Sequence, residues 1–499
     1  MADEQPQTQA NTAPAAVTNE TQQSLLDQII HETRLDRDKD QADQSRQQIA
    51  TLVQAVLGQT VKVSKDLEQT LSAKIADIDQ LISRQLNEII HHPDFQKLEA
   101  SWRGLRYLVM SSETSTMLKI KVLNVSKQDL ARDLERATEF DQSALFKKVY
   151  EEEFGTFGGA PFGALIGDYE FSRHPQDMAM LEKVSNVAAA AHAPFFAAAS
   201  PQMFNLDSFT DVGVPRDLSK IFDTVEYAKW KSFRDSEDAR FVGLTLPHVL
   251  MRLPYGPDTV PVEGFNFKEE VDGKDHGKYL WGNAAFALGT RITDAFAKYN
   301  WCAAIRGVEG GGLVEGLPTH TFRTDDGEIA LKCPTEVAIT DRREKELSDL
   351  GFIPLVHCKG TDYAAFFGMQ SCQKAKKYDT DAANANARLS TQLQYIMATS
   401  RFAHYLKAMM RDKIGSFMSR EDCETFLNRW ISNYVLASDT GSQEDKAKYP
   451  LRDARVDVSE VRGKPGVYKA VAFLRPHFQL DELTASLRLV ADLPASARS

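Results

Sequence analysis

Residues 454–474 have the sequence ARVDVSEVRGKPGVYKAVAFL, and this stretch determines how the carboxy-terminal part of the chain folds. Apolar residues alternate with polar ones from Ala454 through Val456 to Val458. A period of two predicts a half-buried β-strand. The Gly-Lys-Pro-Gly sequence at 463–466 then predicts a turn. The stretch therefore indicates two strands joined by a tight connection.

The second strand is predicted from Val467 to Leu474, where apolar side chains occupy both faces apart from Lys469, with Val471 and Phe473 on the same face. A third alternating run follows and would complete a three-stranded sheet, with one apolar side formed by Leu483, Leu487 and Leu489. So short a sheet has open edges, whose unpaired backbone groups can accept a strand from another chain. We therefore predict that this chain is a subunit and that its β-strands pair with those of neighbouring subunits.

Size and composition limit the class of protein. The chain has 499 residues, which predicts about two to four domains with ample core. Its five cysteines are scattered without short paired spacing, as is typical of a reducing cytosol. A net charge of −11 argues against general nucleic-acid binding. We expect no signal peptide, because the amino terminus lacks a basic region followed by an apolar one. We expect no membrane insertion, because no apolar run approaches about 20 residues.

The amino-terminal region predicts a short helix on a disordered leader. Residues 1–23 are rich in Gln, Ala, Thr and Asn and should be disordered. Ser24 can cap a helix within the 24–60 segment, and the apolar stripe of that helix consists of Leu25, Leu26, Ile29 and Ile30, followed by Arg34. Such a helix suits a groove on another protein, although packing against its own chain is an almost equal alternative.

The central region predicts a mixed α/β (α+β) fold. Apolar residues recur with helical spacing from Leu67 to Ile89, and Pro93 ends that helix and begins another. Strands are predicted at 118–122, 162–166, 241–246, 249–253, 337–340 and 352–356, with helices between them such as Ala284–Tyr299. This order does not follow a regular βαβ repeat.

The carboxy-terminal region begins with helices. One long helix is predicted at 382–417, and Ser419 caps the next. Residues 437–448 are polar and predict a flexible linker. We accordingly divide the chain into a leader (1–23), amino-terminal helices (24–60), a main α/β body (61–378), and carboxy-terminal helices with inter-subunit strands (379–499).

The sequence contains only weak indications of a catalytic, phosphate-binding or metal-binding site. The glycine-rich loop at 307–312 lacks the Lys-Ser/Thr pair of a phosphate-binding loop and carries Glu309, so a tight turn is the better interpretation. Histidines such as His248 lack ligand-spaced partners in sequence. We expect no catalytic residue, metal or cofactor. A nucleotide-binding enzyme that uses the 307–312 loop and a soluble adaptor remain the alternatives.

Several stretches resemble the TssC/VipB family, the large subunit of the type VI secretion contractile sheath, nearly from end to end. The similar stretches are FQKLEASWRGL (95–105), GALIGDY (163–169), WKSFRDSEDAR (230–240), YLWGN (279–283), KCPTE (332–336), TDR (340–342) and RPHF (475–478). The loop at 438–448 and the extreme amino terminus differ from the family.

The resemblance implies a function and partners. It implies a bacterial cytoplasmic sheath subunit that polymerises with the small sheath subunit (TssB/VipA) around an inner tube of Hcp and contracts against a baseplate. It also implies that the ClpV AAA+ ATPase disassembles spent sheath by grasping the amino-terminal helix, a role that falls on Leu25, Leu26, Ile29, Ile30 and Arg34. The family's carboxy-terminal strands interlock with those of neighbouring protomers, which corresponds to the predicted sheet.

Overall fold

The structure is a computed structural model, and it describes residues 43–44, 46–48, 50–51, 54, 67–214, 217–416, 418–438, 440–463 and 467–479. The predicted leader, the amino-terminal recognition helix and the third carboxy-terminal strand lie outside these residues. The chain divides into two compact units. One comprises the described residues up to Asn87 together with Val262–Lys268, and the other comprises those of 88–261 and 269–479.

Helices make up much of the described part of the chain. From Leu67 onward they are α1 (Leu67–Ile90), α2 (Pro93–Met110), α3 (Lys127–Arg136), α4 (Ala144–Phe146, continued by a π-helix at Lys147–Gly155), α5 (Pro175–Ala191), α6 (Leu218–Phe222), α7 (Ala228–Asp235), α8 (Ala284–Tyr299), α9 (Asp341–Asp349), α10 (Asp381–Leu389), α11 (Leu393–Asp412), α12 (Arg420–Ser432) and α13 (Gln443–Lys448).

The strands of the described residues form one large sheet and three small ones. They are β1 (Leu165–Phe171), β2 (Phe195–Ala199), β3 (Val242–Leu246), β4 (Val249–Leu250), β5 (Trp281–Gly282), β6 (Leu313–Val314), β7 (Thr321–Arg323), β8 (Ile329–Leu331), β9 (Ile353–His357), β10 (Ala364–Phe366), β11 (Leu451–Glu460) and β12 (Tyr468–Pro476). The six-stranded sheet has the order β1-β2-β3-β9-β10-β6. Its first four strands are parallel, and its last two pairings are antiparallel.

The main core covers both faces of the six-stranded sheet. Strands β2 and β3 are buried along their whole length, as strands covered on both faces must be. The ring of Trp230 stacks on that of Phe352 at 5.4 Å between centroids, and both side chains are fully buried. The sequence therefore folds as the mixed α/β body that its apolar runs predict.

A second core lies in the carboxy-terminal part. It joins Trp301 and Phe402 to apolar residues of α12 and β11, which are Cys423, Leu427, Ile431, Leu451, Val456 and Val458. The rings of Trp301 and Phe402 stack at 4.2 Å between centroids. The β11–β12 pair is thus anchored on its own chain by one face.

Several predicted elements are confirmed. The helix from Leu67, the helix at Pro93 and the helix Ala284–Tyr299 are all present. Ser419 caps α12 in a reciprocal capping box with Asp422. The strands at 241–246 and 352–356 are present with small shifts of their ends.

Other predictions are wrong. The helix predicted at 382–417 is broken, because the main chain at Gln392 forms a bridge with Gln370 and Ser371 donates to the Thr391 carbonyl at 2.9 Å. Residues 118–122 and 337–340 form no strand, since no described strand pairs with them. The predicted linker at 437–448 contains α13, which Ser442 and Asp445 cap reciprocally.

Candidate assembly surfaces

The β11–β12 ribbon is an antiparallel pair with a well-defined register. Val456 lies opposite Ala472, and Val458 lies opposite Ala470. Val456 and Val458 are 0% and 3% exposed, because they face the second core. Two of the predicted inter-subunit positions therefore serve the internal packing of the chain instead.

The opposite face of the ribbon is partly apolar and open. Val471 is 41% exposed, Phe473 is 52% exposed, and Val467, beside the start of β12, is 46% exposed. The guanidinium of Arg455 lies 5.0 Å from the centre of the Phe473 ring, so a cation covers part of this face. These three predicted positions remain available to another chain. The predicted positions Leu483, Leu487 and Leu489 lie outside the described residues.

The outer edge of β12 is unpaired in the part of the chain that the structure describes. In an antiparallel pair, residues opposite each other both point their backbone groups either toward the partner strand or away from it. The N–H groups of Val456 and Val458 point away from β12, so those of Ala472 and Ala470 point away from β11. No described group bonds to the outward N–H and C=O of Ala470 or Ala472.

The outer edge of β11 is closed at Val456 and Val458, which corrects at these two positions the prediction of open sheet edges. Asn428 of α12 accepts from the Val456 N–H at 2.9 Å and donates to the Val456 carbonyl at 2.7 Å. Glu424 accepts from the Val458 N–H at 3.1 Å, and Arg420 donates to the Val458 carbonyl at 3.3 Å. Side chains therefore occupy the place of a neighbouring strand.

An exposed apolar stripe runs along α1. Its members are between 39% and 59% exposed, and they are Leu71, Ile75, Ile78, Leu81 and Ile82. Leu71, Ile75, Ile78 and Ile82 recur every three or four residues and so share one face of the helix, with Leu81 beside them. Contiguous exposed apolar surface of this kind is typical of an interaction site.

A second apolar patch lies on α2 in the larger unit. Phe95 and Leu98 line a groove of about 620 Å³ together with Ile89, and Trp102 is 65% exposed. On another face of the same helix, Gly104 lies against the Phe286 ring, where a Cβ atom would come within 2.3 Å of the ring. The helix is therefore fixed to the body at Gly104 and presents large apolar side chains to solvent.

A buried histidine–glutamate cluster joins distant segments of the body. The His248 imidazole contacts Glu336 through Nδ1, and its Nε2 lies 3.1 Å from the Glu170 carboxylate. His276 Nε2 lies 3.0 Å from Glu336. Burial would lower the pKa of His248, yet the hydrogen bonds to Glu170 and Glu336 raise it to about 10. Burial would raise the pKa of Glu336, yet its histidine partners lower it to about 2.

Sequence spacing could not reveal this cluster, because His248 and Glu336 are 88 residues apart.

The segment at 234–238 is dense in charged residues, and its first residue, Arg234, stabilises the fold of the chain. Arg234 is buried and donates to the carbonyls of Cys372 and Asp349, both at 2.9 Å. Arg234 is therefore internal and cannot form a charge contact between subunits.

The glycine-rich loop at 307–312 is a tight turn, as predicted. The N–H of Gly312 donates to the Gly307 carbonyl at 2.8 Å, and the N–H of Gly307 donates to the Phe366 carbonyl at 2.7 Å. These two N–H groups are therefore not available to bind phosphate. Within the described residues, no three His, Cys, Asp or Glu side chains are arranged to hold a metal ion. No described helix has the length and apolar character of a membrane span.

Comparison with known proteins gives two matches to family models and one curated relative. The family model described as VipB (EvpB/VC_A0108, tail sheath N-terminal domain) matches residues 72–373. Its companion, described as VipB_2 (EvpB/VC_A0108, tail sheath gpW/gp25-like domain), matches residues 382–493. The type VI secretion system sheath protein TssC1 of Pseudomonas aeruginosa strain PAO1 is 52% identical over 451 residues, which is 90% of this chain and 91% of that protein.

Two solved structures are also similar. A chain in the cryo-EM structure of the anti-feeding prophage baseplate has a TM-score of 0.33 and 10% identity, over 63% of this chain and 66% of that chain. A chain in the cryo-EM structure of the contracted anti-feeding prophage helical sheath has a TM-score of 0.31 and 9% identity, over 62% and 66%.

Proposed function

The chain belongs to the VipB family of tail-sheath proteins and is a structural subunit of a type VI secretion sheath, and from this premise we propose how it assembles. It polymerises with the small sheath subunit around an Hcp inner tube, in the bacterial cytoplasm. The polymer contracts against a baseplate to drive the tube outward. Contraction would be a change between two packings of the same surfaces, without catalysis by this chain.

The single observation that carries the assembly proposal is the unpaired outer edge of β12. Its outward backbone groups at Ala470 and Ala472 have no described partner, although Val456 and Val458 on the inner face of the ribbon are buried in the second core. Beside this edge, Val471 and Phe473 present apolar side chains. An added strand would satisfy the backbone groups and cover those side chains in one step.

The apolar stripe of α1 supports the pairing with the small subunit. Burying one Ile or Leu side chain stabilises a contact by about 1.5–3 kcal/mol, so a stripe of five such residues is enough to hold an amphipathic helix. Trp102 and its neighbours on α2 offer a second apolar patch. We assign the α1 stripe to the small subunit.

Two further proposals rest on the family resemblance. The helix that contains Leu25, Leu26, Ile29 and Ile30, with Arg34 after it, is the segment that ClpV grasps when it disassembles spent sheath. The chain is organised as a leader (1–23), amino-terminal helices (24–60), a main body (61–378) and a carboxy-terminal domain (379–499). No observation favours the nucleotide-binding alternative.

The assembly proposal can be tested by removing one outward N–H group from the β12 edge. Ala472→Pro removes the outward N–H of Ala472 without removing a hydrogen bond to β11. Ala472→Val is the matched control, because it keeps the N–H and favours a strand. Each variant is co-expressed with the small sheath subunit and inspected by negative-stain electron microscopy.

We expect sheath tubes with Ala472→Val and none with Ala472→Pro, while both variants retain the circular dichroism spectrum of the unaltered chain. Normal tubes formed by Ala472→Pro would show that this edge accepts no strand. If Ala472→Pro changes the circular dichroism spectrum, the same test is made with Ala470→Pro, which removes the N–H at the other unpaired position of this edge.

A further inference from the structure

The closed edge of β11 is built from three side chains on one face of α12. Arg420, Glu424 and Asn428 are spaced four residues apart, so they follow one another along the helix. The Arg420 guanidinium also lies 3.9 Å from the Glu424 carboxylate, and this ion pair holds the two side chains next to each other. We call these three residues the side-chain ladder.

The ladder reproduces the hydrogen bonds of a strand. The amide of Asn428 contacts both backbone groups of Val456, with its oxygen against the N–H and its nitrogen against the carbonyl. The same nitrogen also donates to the Glu424 carbonyl at 2.9 Å, so the opposite orientation of the amide would place oxygen against two carbonyls. Arg420 and Glu424 serve the two groups of Val458 in the same way.

Main-chain groups close the beginning of the same edge. Leu436 donates to the Leu451 carbonyl at 2.9 Å, and Leu451 donates to the Tyr434 carbonyl at 3.3 Å. The two edges of the ribbon therefore differ in whether their outward backbone groups have hydrogen-bond partners. On β11 the outward groups of Val456 and Val458 are satisfied by the same chain, although those of Ala454 and Glu460 have no described partner. On β12 no described group bonds to the outward groups of Ala470 and Ala472.

We infer that the side-chain ladder restricts strand addition to the β12 edge and so makes each subunit a one-sided acceptor of an extended segment from a second chain. This inference rests on the proposed function. A two-stranded ribbon with two open edges could bind strands on both sides and join sheets edge to edge. With β11 blocked at Val456 and Val458, a strand can add only at β12, so each ribbon extends in one direction.

The experiment is residue-resolved amide hydrogen exchange on the full chain, unassembled and assembled with the small sheath subunit. In the unassembled chain, the amides of Val456 and Val458 should exchange more slowly than those of Ala470 and Ala472. Assembly should slow Ala470 and Ala472 and leave Val456 and Val458 unchanged. Asn428→Leu should accelerate the exchange of Val456 in the unassembled chain by about tenfold or more, because a buried N–H loses its acceptor.

Arg429→Leu is the matched control, because Arg429 is an exposed neighbour on α12 outside the ladder. It should leave the Val456 rate within about twofold of the original. If Asn428→Leu fails to fold, Glu424→Leu and Glu424→Gln give the same test at Val458, since only Gln retains an acceptor.

The results separate the ladder from the assembly proposal. Fast exchange of Val456 in the unaltered, unassembled chain would refute the ladder, as would a Val456 rate that Asn428→Leu leaves unchanged. Protection of Val456 on assembly of the Asn428→Leu chain would show a strand added at the opened edge and support the inference directly. Absence of any protection at Ala470 and Ala472 on assembly would instead contradict the proposed function, and the Val456 rate in the unassembled chain still decides the ladder.

Discussion

The histidine–glutamate cluster predicts a stability contribution that decreases as the pH rises. His248 is held between Glu336 and Glu170, and His276 makes a second contact with Glu336. The Glu336 side chain is 7% exposed and that of His248 is 14% exposed, so water screens their interaction poorly. The substitution His248→Gln removes the positive charge from this cluster and leaves two carboxylates close to one another.

The magnitude follows from the pKa of His248. This pKa is about 10 in the folded chain, compared with about 6.5 for an unfolded histidine. Because protonated His248 is favoured in the folded state, it contributes its full stabilisation to the folded chain below about pH 6.5. This contribution to the unfolding free energy is lost as the pH rises through the folded-state pKa. Linkage then gives about 4 kcal/mol at pH 7, about 2 kcal/mol at pH 8.5 and almost nothing near pH 11. Removing one partner of a buried ion pair typically costs about 3–5 kcal/mol, which agrees with the value at pH 7.

The assay is urea unfolding of the unassembled chain at pH 7 and pH 8.5, with and without His248→Gln. We expect the difference in unfolding free energy to fall by about half between the two pH values. His404→Gln is the matched control, because burial keeps His404 neutral with a pKa of about 4, while its Nε2 bonds to the Ala191 carbonyl. Its cost should be the same at both pH values. An equal loss for His248→Gln at pH 7 and pH 8.5 would refute the proposed charge state.

Three further predictions concern assembly and stability. Ile78→Asp should abolish co-purification with the small sheath subunit, whereas Asp77→Asn, on a neighbouring exposed position, should retain it. A Leu26→Asp and Ile29→Asp double variant should prevent binding to ClpV while tubes still form; failure to form tubes would show that this helix is required for packing. Trp230→Ala should lower the unfolding free energy by about 3–5 kcal/mol in urea titration, since the side chain is 1% exposed in the main core, and a loss below about 1 kcal/mol would contradict that packing.

Local signals allowed the sequence to predict much of the carboxy-terminal ribbon and the helix ends. The alternation at Ala454, Val456 and Val458 gave β11, because residues two apart face the same side of a strand. Ser419 predicted the start of α12, because a capping serine bonds only to groups of the next turn. Such features depend on residues that are close together in the chain.

Features that join distant segments could not be predicted in this way. The break between α10 and α11 arises because Gln370 and Ser371, about 20 residues earlier in the chain, bind the main chain at Thr391 and Gln392. The polar spacing of Glu424 and Asn428 was visible in the sequence as part of a helix, but only the packing of α12 beside β11 shows what those side chains bind.

A strand-accepting ribbon has two opposite requirements, and we assign one to each of its edges. A strand acceptor must leave backbone groups unpaired until a partner arrives, yet unpaired edges also promote aggregation. On β11 the side-chain ladder removes the hazard by satisfying the backbone from within the chain. On β12 the exposed face carries Lys469 and Arg475, and Pro476 ends the strand. Edge charges and proline are the means by which open strands discourage unspecific pairing. If β12 accepts a strand as proposed, we expect that strand to carry acidic or neutral side chains opposite these cations, so that the open edge would also select its partner.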